Sequence, residues 1–191
     1  MDRTATNGSI VIRHADLAVE TDEITALLVD YMTTAQRQLL ATFGIRDALT
    51  DVSGVRASLR EYDHSPNVLL VAEDSSRGLV GVAGLRTLGP GVAEVKRMYV
   101  VPDVRGLHVG SRLLDCLLGE AAQRAVSTVR LDTARFMVDA QRLYRSRGFV
   151  ERSPYPQTEI PQLLHDYWIF FELRTDGLVD EGADDIVDAP T

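Results

Sequence analysis

At 191 residues, 45% of them hydrophobic and only one a cysteine, Cys116, the chain has apolar material for one sizeable core and cannot form an internal disulfide. No apolar run approaches the roughly 20 residues of a membrane span, and the opening MDRTATNGSIVIRH lacks the charged-then-apolar order of a secretory leader, so no membrane association and a cytoplasmic location are expected. The net charge is −8, but Asp176, Asp180, Glu181, Asp184, Asp185 and Asp188 cluster after the last strand-like run. Without these six the body is near −2 and has no basic stripe, which argues against nucleic-acid binding.

In chain order, SIVIRHA reads as a short strand, and ETDEITALLVDYMTTAQRQLLATFG shows helical apolar spacing at Ile24, Leu27, Leu28 and Tyr31 with acids at its start. A shorter helix follows at about 52–62. NVLLVAED, GLVGVAGLRTLG and GVAEVKRMYVVP are three valine- and leucine-rich strands separated by turn residues, hence an antiparallel meander. VGSRLLDCLLGEAAQRA is a helix on whose buried face Cys116 is expected, STVRLDT a strand, VDAQRLYRSRG a helix, and DYWIFFELR a last strand after an irregular proline-containing stretch. Helices and strands interleave, with hairpins in the first half and a parallel crossover through the helix at about 109–125. The fold class is therefore α/β, mixed around one sheet, with residues 1–174 as the domain. Residues 175–191, TDGLVDEGADDIVDAPT, carry too few large apolar side chains for a core and are expected to be a disordered acidic tail.

The histidines, His14, His64, His108 and His165, are scattered without metal-ligand spacing, so no metal is expected. The stretch VRGLHVGSRLL is more informative. A glycine loop between a strand and a helix start can aim several backbone N–H groups, and the free donors of the first helical turn, into one small space. Such a loop suits an anion, or it is an ordinary tight turn; it lacks the third glycine of a dinucleotide fingerprint and the Lys-Ser/Thr of a P-loop.

The wider segment EVKRMYVVPDVRGLHVGSRLL resembles the acyl-CoA-binding core of the GNAT acyltransferase superfamily, and LDTARFMVDAQRLYRSRGF is similar to that family's later strand-helix segment with Ala-x-x-x-Tyr closing on Gly-Phe. His108 replaces the first motif glycine, and Met137 an asparagine often found seven positions before the tyrosine. The resemblance implies a central, mostly antiparallel sheet with a splayed parallel strand pair, flanked by helices. It further implies acetyl-CoA as co-substrate and a small-molecule or peptide amine as acceptor, with a homodimer left open. By matching position, the backbone of Met98 and Val100 would bond the pantetheine arm. The amides of Arg105, Gly106, His108, Val109, Gly110 and Ser111 would hold the pyrophosphate. Arg145 and Arg147 are further candidates for the CoA phosphates.

A lysine-like amine must lose a proton before it attacks a thioester, which costs roughly 4–5 kcal/mol at pH 7, so a proton acceptor is valuable. Strict alternation along the strand sets Val92, Glu94, Lys96, Met98 and Val100 on one side, and Glu94 matches the family's general base. Pairing with Lys96 or Arg97 is the plainer account of Glu94. Tyr144 matches the tyrosine that protonates the departing thiolate, with core packing as its plainer account. The first two helices and ERSPYPQTEIPQLLHDYW are expected to form the acceptor pocket, with Tyr31, Tyr155 and Glu159 as candidates by chemistry. An acyl-CoA-sensing module without catalysis is the rival reading.

Overall fold

The computed structural model describes residues 9–46 and 52–175. Its elements are β1 (Ile10–His14), α1 (Leu17–Phe43), α2 (Val52–Ser58), β2 (Val68–Asp74), β3 (Gly78–Gly89), β4 (Val92–Val100), α3 (Val109–Gln123), β5 (Thr128–Ala134), α4 (Val138–Ser146), β6 (Val150–Arg152) and β7 (Trp168–Arg174). Short 3-10 turns follow α2 and β4, and another precedes β7. The strands form one sheet in the order β1-β2-β3-β4-β5-β7-β6, antiparallel throughout except for the β4–β5 pair. The expected interleaving is observed, and β6 is an addition to it.

Local sequence accounts for the helix ends. Asp16 caps α1 by accepting from the Ala18 amide at 3.0 Å, while its own amide donates to Glu20 Oε2 at 2.7 Å, so two free donors are satisfied reciprocally. Gly44 ends the helix with φ 72°, and its N–H reaches Leu40 O at 3.0 Å. In α3, Val109, Leu113, Leu117 and Ala121 recur every fourth residue and are buried against the sheet. Cys116 falls beside that stripe and is exposed, which corrects its expected place on the buried face.

One core lies between α3 and the sheet, and a second between the sheet and α1 with α2. A third cluster joins Leu39 of α1 to Tyr155, Leu164, Trp168 and Phe170 at the far end. Where β3 and β4 pair, Val82 faces Tyr99 and Gly84 faces Lys96, so Ala83 alone stands opposite both Arg97 and Met98. This is a β-bulge, and Arg97 occupies it with φ 56°.

The bulge overturns the alternation expected along β4. Ala93 and Val95 face the α3 core, and after the inserted residue Met98 and Val100 face it too. Glu94 and Lys96 point to the opposite face, which α1 covers. Of residues 175–191, Thr175 donates its amide to Ser127 O at 3.0 Å, and the rest of the expected tail lies outside the described residues. Among the described residues no helix is long and apolar enough to cross a membrane.

Candidate active site

The parallel strands β4 and β5 are paired only from Val92 to Glu94 and from Thr128 to Arg130. Beyond Glu94 they diverge, leaving backbone groups on the inner edge of β4 without a neighbouring strand. A cavity of about 540 Å³ opens there, and all eight residues named from the sequence for the cofactor line it: Met98, Val100, Arg105, Gly106, His108, Val109, Gly110 and Ser111.

The floor of that cavity is the start of α3. Arg112 is the first residue to find an acceptor within the helix, His108 O at 3.0 Å, so the amides of Val109, Gly110 and Ser111 are left over by helix geometry. The Arg105 amide differs from the others: it already donates to Pro102 O at 3.1 Å. His108 is the N-cap with φ 58° and makes no side-chain capping bond. Histidine occupies a left-handed position of the kind glycine adopts freely. A Cβ on Gly110 would stand 3.6 Å from Met98 Cε and 3.9 Å from Val100 Cγ2, so a methyl fits the fold there but occupies the cradle side of the helix.

A second cavity of about 240 Å³ lies under α1 and shares Tyr31, Ala35, Met98, Phe136, Met137 and Ala140 with the first. The two meet at a pair of methionines facing two tyrosines. Tyr144 Oη lies 3.8 Å from Met98 Sδ, and Tyr31 Oη lies 3.9 Å from Met137 Sδ. A thioether is a weak acceptor, so both hydroxyl protons remain available. Burial pushes the Tyr31 phenol up to about 12 and the Tyr144 phenol higher, so both keep their protons at any physiological pH.

Further into the second cavity stand Lys96, Asp132 and Glu159. Lys96 Nζ is 3.1 Å from Glu159, 3.7 Å from Asp132 and 4.0 Å from Glu94. Burial pulls the Lys96 ammonium down, but the three carboxylates outweigh it and hold it above its ordinary value. Burial pushes the Asp132 carboxyl up to about 6 against the pull of Lys96. Desolvation works against the Glu159 carboxylate as well, yet Lys96 and Arg86 hold it below the usual range.

Glu94 has a different setting. It is fully buried, accepts from Arg86 Nη2 at 2.6 Å and from the Tyr155 hydroxyl, and lines neither cavity. Tyr144 lines the second cavity, with its hydroxyl beside Met98 at the seam. Of the acceptor candidates, Tyr31 and Glu159 line the cavity, whereas Tyr155 is buried behind it against Glu94. Arg145 and Arg147 are held by Glu151 and Asp115 rather than turned toward the cradle. Sequence reasoning missed Asp132. No local signal marks it: its place near Lys96 comes from β4 and β5 lying side by side in the fold. Among the described residues, no group of three potential metal ligands gathers.

The profile of the acetyltransferase (GNAT) family matches residues 34–149, which include both cavity-forming strands, the α3 cradle and Tyr144. The chain belongs to the GNAT family. An uncharacterized N-acetyltransferase of Schizosaccharomyces pombe is 30% identical over 159 residues, covering 82% of this chain and 93% of that protein. Among solved structures, a GNAT-family acetyltransferase of Staphylococcus aureus superposes with a TM-score of 0.68 at 20% identity, over 87% of this chain and 99% of the other. The acetyltransferase yncA of Salmonella typhimurium, solved with its cofactor acetyl-CoA, gives 0.64 at 21% identity over 96% and 98%. These two likenesses concern the fold. As a GNAT acetyltransferase, the chain carries the family's splayed strand pair next to a helix-start cradle, with His108 in a glycine's place and Met137 at the seam between the cavities.

Proposed function

We propose that this GNAT protein transfers an acetyl group from acetyl-CoA to the primary amine of a small molecule or peptide, directly within a ternary complex. What carries the reading is the meeting of the two cavities at Met98 and Met137, with a phenol that keeps its proton, Tyr144, beside the seam and a carboxylate that can take one, Asp132, in the second cavity.

The donor lies in the larger cavity, its pantetheine arm along the unpaired edge of β4 at Met98 and Val100. Its pyrophosphate rests on the amides of Gly106, His108, Val109, Gly110 and Ser111, where the helix dipole favours negative charge. The acceptor lies in the smaller cavity. Its ammonium gives one proton to Asp132, and the freed nitrogen lone pair forms the C–N bond at the thioester carbonyl. As the C–S bond breaks, its electron pair goes to sulfur and Tyr144 donates its proton to the thiolate; the second proton leaving nitrogen restores the phenol. The products are an amide, the CoA thiol and one proton. Most of the acceleration comes from alignment of thioester and amine. Glu94, matched to the family base, acts instead as a positioning residue that fixes Arg86 and Tyr155 behind Lys96 and Glu159.

The test combines thermal shift by acetyl-CoA with turnover against a panel of amines, using Asp132→Asn, Glu94→Gln and Tyr144→Phe. The expected result is stabilisation by acetyl-CoA in all, with the largest loss of kcat in Asp132→Asn. A loss confined to Glu94→Gln returns the base to β4, and stabilisation without turnover of any amine makes the chain a sensor.

A further inference from the structure

The ion-pair network beside the acceptor cavity is out of balance. Four carboxylates, Glu61, Glu94, Asp132 and Glu159, gather on two cations, Arg86 and Lys96, so negative charge is in excess. The shortfall falls on Asp132. Its Oδ2 is buried and accepts no hydrogen bond, since Lys96 Nζ at 3.7 Å is beyond reach.

The opposite deficit lies on the next residue of β4. Arg97 lines the same cavity, and its Nε–H is buried with no acceptor. Its guanidinium stands 6.0 Å from the Tyr62 ring, whose hydroxyl is likewise buried and unpartnered. Arg86 Nε is a third such donor on this side of the sheet. Buried polar groups without partners are costly, and natural proteins leave few of them. Arg97 also sits at φ 56° in the bulge, a conformation that suits glycine. A long cationic side chain kept on backbone that disfavours it points to a use for the guanidinium. The remaining wall is apolar, formed by Leu28, Met32, Leu39, Phe136, Leu164 and Trp168.

We propose that the acceptor is a free amino acid with an apolar side chain, bound with its ammonium on Asp132, its carboxylate on Arg97 and its side chain against the apolar wall. The proposal rests on the acetyl-transfer reading above and specifies its substrate. The ammonium supplies the missing positive charge, and the carboxylate supplies the missing acceptor, for which a guanidinium fork is the matching donor. A peptide N-terminus offers a carbonyl where a free amino acid offers a carboxylate, so it leaves Arg97 without its counter-charge.

The experiment measures acetyl-CoA turnover by the full chain with L-leucine and L-phenylalanine, their amides, and the decarboxylated 3-methylbutylamine and 2-phenylethylamine. Each amino acid is expected to exceed its amide and its amine at least tenfold in kcat/KM. Arg97→Gln is expected to raise KM for the amino acid at least tenfold more than for the amine. Arg97→Lys, which keeps the charge, covers the case in which the glutamine variant does not fold, and is expected to recover part of the preference. Amines or amides that match the amino acids in the wild type overturn the proposal, as does an Arg97 variant that weakens all three classes equally. If nothing is turned over although acetyl-CoA binds, the acetyl-transfer reading fails. Calorimetry of leucine against 3-methylbutylamine on the CoA complex then decides the acceptor class separately, and equal or absent binding of the two overturns it.

Discussion

The Lys96 ammonium lies 3.7 Å from an Asp132 oxygen that accepts no hydrogen bond, in a pocket where three carboxylates surround that one lysine. This leaves Asp132 ionisable near neutrality. As the proposed base, its carboxyl, pushed up to about 6 by burial, must be ionised to take a proton from the acceptor. We expect kcat/KM to climb through a limb centred near pH 6, measured with acetyl-CoA saturating, and Asp132→Asn to lose that limb together with most of the rate.

The same carboxyl links stability to pH. Folded Asp132 keeps its proton up to about pH 6, while an unfolded aspartate releases it near 4, so the folded state binds more protons between those values. Stability from this group is present below pH 4 and lost as pH rises to 6, on the order of 3 kcal/mol at full burial. Thermal melts of Asp132→Asn should therefore gain on the wild type between pH 4.5 and pH 8. Parallel melts across that range would show that the site does not hold a proton in the folded state.

His108 stands at φ 58° as the N-cap of α3. Glycine meets no Cβ penalty there, so His108→Gly should stabilise the fold by about 1 kcal/mol, whereas a branched residue such as valine should cost about 1–2 kcal/mol. Because the amide is the proposed donor, acetyl-CoA affinity should change less than about tenfold in the glycine variant at pH 6 and at pH 8. Urea melts and CoA titrations check both halves. A glycine variant less stable than the parent would mean that the imidazole makes a contact outweighing its backbone cost.

At Gly110 the two effects of one methyl separate. A Cβ meets Met98, Leu143 and Val100 at 3.6 Å or more, which the fold tolerates, and alanine in a helix gains about 0.5–1 kcal/mol over glycine. The same methyl occupies the cradle side of α3. Gly110→Ala is thus expected to melt no lower than the wild type yet bind acetyl-CoA more weakly, and Gly110→Val more weakly still, by isothermal titration.

Glu94→Gln tests the anchor. The carboxylate is fully buried and accepts from Arg86 and Tyr155, so its neutral isostere weakens a buried charge-assisted hydrogen bond and puts amide donors where acceptors stood, which should cost about 1–3 kcal/mol. We expect lowered Tm and a pH limb of kcat/KM that persists, moved toward lower pH because the Glu94 charge no longer raises Asp132. Intact Tm with the limb abolished would make Glu94 the proton acceptor.

Most of the fold was legible because its core is written in runs: β2, β3 and β7 are valine-, leucine- and phenylalanine-rich, and α3 repeats its apolar residues every fourth position. β6 was not legible because a three-residue edge strand with Val150 exposed buries no pattern. The cradle was read from glycines and a helix start, both local signals. The separation of Glu94 from Met98 across the sheet was not, because Arg97 gives no glycine-like hint that β4 adds a residue there. The role proposed for Asp132 depends on a lysine on a neighbouring strand, a long-range relationship that local composition does not carry.

The division of labour between the two cavities bears on how such a protein changes over evolutionary time. Leu28, Met32, Leu164 and Trp168 border the smaller cavity and do not border the larger one. With the donor and acceptor placed as proposed, substitutions among them can recut the fit for a new amine while the lining of the larger cavity on α3 and β4 stays untouched, so acceptor preference can drift without loss of the donor. Met98, Met137 and Tyr31 border both, and any change there must satisfy two ligands at once. Diversification is thereby channelled into α1 and the turn before β7, and constraint into the seam.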